Sequence, residues 1–175
     1  MVVTSIERGQ AGVTLIELMI VILIIGLIAM AASPFTSFWV KDARVTEGAA
    51  ILEQAIGRAK SSALRNAVRK TGDKAASMLC LSASKTTVSL ILPSDAATEP
   101  ACTQTPAWTG TVAQIVSIKT LDSSDTATDW TCSCFTNKGL PTKTGAQCAA
   151  CSDSLRFRFS HDGHSGDEGD IRNFY

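Results

Sequence analysis

The stretch Gly12-Val13-Thr14-Leu15-Ile16-Glu17-Leu18-Met19, continuing as IVILIIGLIAMAA over residues 20–32, decides how this chain is organised. From residue 18 to residue 32 nothing is charged or polar, and apolar residues dominate as far as Val40. That is about the length a helix needs to cross a bilayer. The residues ahead of Gly12 are few and mostly polar, with Arg8 among them. An ordinary secretory signal places its apolar region before a small-residue cleavage site. Here the order is reversed, so a cut after Gly12 would keep the apolar helix in the mature chain. Glu17 stands inside that helix, where a carboxylate costs on the order of a few kcal/mol unless it is paired or functional. Its shallow depth also permits it to snorkel to the headgroups.

Working outward, 175 residues suit one globular domain plus an appendage. The formal net charge is zero, so no global field attracts nucleic acid or an anionic surface. Three segments follow: 1–12 as a cleaved leader, 13–40 as a transmembrane and assembly half-helix, and 41–175 as a soluble head. Pro34 removes a backbone donor and is expected to kink or break the helix. Beyond it the pattern becomes amphipathic, with Val45, Ala49, Leu52, Ile56, Ala59 and Ala63 at three- and four-residue steps. The helix is therefore expected from residue 13 to about residue 67, roughly 80 Å at 1.5 Å per residue. Its small-residue stripe would admit a sheet closely. Arg58, Lys60, Arg65, Arg69, Lys70 and Lys74 make its end basic, which suits the helix dipole and also raises nucleic-acid contact as an option.

Past Gly72 the chemistry is that of strands, expected at 77–82, 86–92, 111–119, 130–135 and 155–160, with 94–111 as a loop. Val88, Leu90 and Leu92 alternate, as do Leu155, Phe157 and Phe159 against Arg156 and Arg158. The fold class is α+β: a long N-terminal helix packed on an antiparallel sheet. No catalytic constellation appears. His161 and His164 sit in an acidic tail with Asp162, Asp167, Glu168 and Asp170, which does not follow the ligand spacing of a calcium loop. Neither a phosphate-binding glycine loop nor a nucleophile elbow is present. No enzyme, cofactor or metal is expected. Six cysteines, Cys80, Cys102, Cys132, Cys134, Cys148 and Cys151, all lie in the head. They read as disulfides if the head is exported. Cys132-x-Cys134 with Cys148-x-x-Cys151 also offers four thiolates to zinc.

The residues from Gly12 to Met19 resemble the prepilin motif of type IV pilins and type II secretion pseudopilins. The resemblance implies cleavage after Gly12 by prepilin peptidase and methylation of the new amine on Val13, where the family usually has Phe or Met. It implies that Glu17 attracts the N-terminal amine of a neighbouring subunit during assembly. The implied partners are other pilin or pseudopilin subunits and the inner-membrane assembly machinery. The implied location is the bacterial inner membrane, single-pass with a periplasmic head, and then the pilus or pseudopilus. LEQAIGRAKSSALR, residues 52–65, also resembles class H minor pseudopilins and related minor pilins. The expected function is a structural, minor filament subunit; the alternative is a minor pilin whose head captures extracellular DNA through Arg156, Arg158 and Arg172 with the basic helix end. With an exported head, Cys80–Cys102 is expected to close one loop. A returning segment would give the nested pairs Cys132–Cys151 and Cys134–Cys148.

Overall fold

The structure, a computed structural model, describes residues 12–148, 151–161 and 169–174. The chain divides into two compact units, 1–39 and 40–175. Helix α1 spans Leu15–Arg65. In the first unit its large apolar side chains are exposed throughout residues 15–25, and Leu27, Ile28 and Met30 continue the series. One expectation changes there. The helix is unbroken through residue 34, because proline withholds one backbone donor while the surrounding turns keep theirs. Among the described residues no helix is long and apolar enough to cross a membrane.

In the second unit the helix stripe read from the sequence is the buried one. Val45, Ala49, Leu52, Ile56, Ala59 and Ala63 are all buried, with Ala55 beside them. Among the described residues ten strands follow: β1 (Ala75–Leu81), β2 (Thr87–Ile91), β3 (Trp108–Thr111), β4 (Val116–Leu121), β5 (Ala127–Asp129), β6 (Cys132–Thr136), β7 (Pro141–Thr142), β8 (Cys151–Ser152), β9 (Arg156–His161) and β10 (Asp170–Asn173). They form two sheets, one ordered β3-β2-β1-β6-β7 with β8 beside β6, the other β10-β9-β4-β5. The single strand expected over 111–119 is thus two. The chain leaves the first sheet at Thr111, turns where the Val116 amide donates to Ala113 (2.9 Å), and enters the second. The expected loop 94–111 accordingly ends in β3.

The two sheets share one core with the helix. Leu79, Val88, Val112, Ile118, Phe135, Phe157 and Phe159 meet the buried helix face in a single cluster. Trp130 stands edge-on to Phe157 at 5.7 Å, with its indole N–H donating to Ser133 Oγ (2.9 Å). The small helix residues have the expected consequence. Ser77 Oγ donates to the Ala59 carbonyl at 2.8 Å, a strand hydroxyl reaching the helix backbone itself. A Cβ on Gly48 would meet Val116 and Val112 at 3.2 and 3.3 Å. The first sheet is also buried on its far side. Met78, Ile91, Cys80, Cys132, Cys134 and Cys151 form a second cluster there, so β1 has almost no exposed residue.

The helix exit holds one basic residue the sequence placed on the surface. Lys70 is 2% exposed, and its ammonium donates to the carbonyls of Ala96 (2.9 Å) and Thr98 (2.6 Å). Asn66, at φ 41°, grips the same residue through its amide, accepting from Lys70 N and donating to Lys70 O. Asp95 then organises the pinned loop. Hydrogen bonds from the Thr98 hydroxyl, and from the Thr98 and Ala97 amides, lower its carboxyl from the ordinary range to about 2. That contribution is complete above the ordinary carboxylate pKa and disappears only as pH falls through about 2. Lys70→Met keeps the aliphatic stem but leaves two carbonyls without their donor. We expect a loss of roughly 1–3 kcal/mol in urea denaturation; an unchanged midpoint would mean water replaces the ammonium.

Candidate processing and assembly site

The N-terminal turn is built from the residues around the expected cut. Thr14 is the N-cap: its carbonyl accepts the Leu18 amide (3.1 Å), and its Oγ1 accepts the Glu17 amide (3.3 Å). Thr14-x-x-Glu17 has the sequence of a capping box, a signal available from the residues alone. Glu17 lies in the first turn, where a carboxylate complements the positive end of the helix dipole. Gly12, Val13 and Glu17 are all exposed. A Cβ added to Gly12 would meet nothing within 4 Å, so nothing in the fold itself demands glycine there.

The cysteines pair completely: Cys80–Cys102, Cys132–Cys148 and Cys134–Cys151. The first pair is as expected; the nested order of the other two is corrected. After β6 the chain turns back as β7, antiparallel to it, and then reverses again. β8 therefore runs parallel to β6, with Cys151 in register with Cys132. One reversal would pair the first cysteine with the last, whereas two restore the order and join first to first. Gly145 makes the second reversal feasible. Its φ is +74°, and a Cβ there would come within 2.7 Å of the Lys74 backbone.

The three arginines named for DNA are otherwise engaged. Arg156 pairs with Asp125 (2.6 Å), Arg172 pairs with Asp170 (2.7 Å), and Arg158 is buried. Arg58 lies 5.1 Å from the centre of the Trp108 ring, and Lys60 donates to the Phe174 carbonyl (3.3 Å). A groove of about 830 Å³ opens between the two sheets, lined in part by Thr120, Asp129, Lys143, Ser152 and Arg156. Lys143 is paired with Asp153 (3.0 Å), so both of its cations are matched by carboxylates. Of the acidic tail, His164, Asp162, Asp167 and Glu168 lie outside the described residues.

Residues 8–33 match the model of the prokaryotic N-terminal methylation motif. No curated protein and no solved structure matches the chain. The chain therefore carries a prepilin-type N-terminus, with Gly12, Val13 and Glu17 inside the matched residues. Disulfide-bonded cysteines occupy the head behind it.

Proposed function

We propose that this chain is a structural, non-catalytic subunit of a type IV pilus or type II secretion pseudopilus. The observation that carries the proposal is the methylation motif, opening a helix whose apolar side chains are exposed. In this reading prepilin peptidase cuts after Gly12, the new amine on Val13 is methylated, and residues 13–40 hold the chain in the inner membrane with the head in the periplasm. Assembly then covers the apolar half-helix with those of other subunits, which removes the exposed surface from water and lipid. Three disulfides add to the core of the head, as suits an oxidising compartment. A minor position, of the class H kind, draws on the likeness at residues 52–65. DNA capture finds no support in the paired arginines, and we do not propose it.

Glu17 has two separable duties in this account. Capping of the helix rests on Thr14 Oγ1 and the Glu17 backbone, so it survives truncation of the side chain. Pairing with a neighbour's amine does not, and a lone amine among apolar helices is unfavourable. Glu17→Ala should therefore be cleaved normally yet enter sheared filaments at about one-tenth of the wild-type level or less, a difference of ~1.4 kcal/mol. Quantitative immunoblotting of filament and membrane fractions decides it; wild-type incorporation would show that the carboxylate serves the helix end alone.

A further inference from the structure

The four cysteines of β6 and β8 are arranged as more than two crosslinks. Cys132 and Cys134 project from one face of β6, and the Cys151 amide donates to the Cys148 carbonyl (3.4 Å). The sulfurs of Cys132, Cys148 and Cys151 all lie within 4.8 Å of one another. Cys132 Sγ is 3.7 Å from Cys151 Sγ, although the two are not bonded to each other. Cys134 is bonded to Cys151, so the fourth sulfur stands beside this group, outside the mutual 4.8 Å set. A tetrahedral zinc ion with Zn–S bonds of ~2.3 Å holds its sulfurs about 3.8 Å apart. The unbonded pair already stands at that spacing.

We propose that this cluster is a zinc-binding site of the reduced chain, with Cys132, Cys134, Cys148 and Cys151 as its four ligands. The same sulfurs then have two closed states, two disulfides in an oxidising compartment and one metal in a reducing one. The interconversion balances. Two equivalents of a dithiol or phosphine reductant deliver four electrons to the two S–S bonds, giving four thiols. Binding of one Zn²⁺ then releases four protons and leaves a tetrathiolate. The surroundings suit a structural site, since Met78 and Ile91 pack against the cluster from β1 and β2. Cys80 and Cys102 are bonded to each other and take no part. This inference is independent of the filament role and survives its failure.

The test uses the full-length chain in detergent, reduced anaerobically with a phosphine and titrated with Zn²⁺ or Co²⁺. One zinc per chain is expected after gel filtration, with X-ray absorption giving four sulfurs at ~2.3 Å. Co²⁺ should show the intense bands of a tetrahedral thiolate site. Cys134→Ser should weaken zinc by more than the ~100-fold that loss of a mere supporting group costs. Cys80→Ser with Cys102→Ser should leave the stoichiometry at one. Absence of retained zinc, fewer than four sulfur neighbours in the unsubstituted chain, or indifference to Cys134→Ser would each overturn the assignment. The absorption measurement needs no variant, so a misfolded substitution cannot shield the proposal.

Discussion

Gly12→Val should accumulate as the uncut precursor, its intact mass including all residues from Met1. The structure makes the result interpretable, because a side chain at Gly12 meets nothing of the chain itself within 4 Å. A folding defect is therefore not expected. The demand for glycine comes from the peptidase, which must take the backbone on either side of the scissile bond into its own site. A β-branched residue obstructs that approach and restricts the local dihedrals. Processing should fall by two orders of magnitude or more, at least ~2.7 kcal/mol of lost transition-state stabilisation. Ordinary release of Val13 from the variant would place the cut elsewhere.

The second large effect concerns the crosslinks. Non-reducing peptide mapping of periplasmically expressed chain should recover Cys132 with Cys148 and Cys134 with Cys151. Removing one pair, as Cys132→Ala with Cys148→Ala, should cost about 2–4 kcal/mol, since the bridge closes 16 residues of sequence. The loss is large relative to the whole because typical domains have only ~5–15 kcal/mol in all. It also opens the far face of the first sheet, where the cysteines themselves cover Met78 and Ile91. Nested peptides, Cys132 with Cys151, would contradict this pairing.

What the sequence disclosed and what it withheld divide along physical lines. The buried stripe from Val45 to Ala63 was legible because a helix converts three- and four-residue spacing directly into one face. Phe157 and Phe159 were legible for the corresponding reason in a strand. The division of 111–119 between two sheets was not, since no proline marks the turn at residues 112–115 and apolar residues run through it. β7 and β8 are two residues each, too short to show any alternation, and their direction fixed which cysteines met. Lys70 looked like one more charge in a basic run. Only the returning loop, with two carbonyls aimed at its ammonium, makes it a core residue. At the N-terminus the motif was read by its likeness, while the simpler signal, Thr14-x-x-Glu17 as a capping box, passed unnoticed.

The measurement that bears most directly on the filament role is mass spectrometry of this chain recovered from sheared filaments of its native host. We expect an N-terminal peptide that begins at Val13, carries one methyl group on its amine and retains Glu17 five residues from the new terminus. A chain absent from filaments, or one that still begins at Met1, would contradict the account.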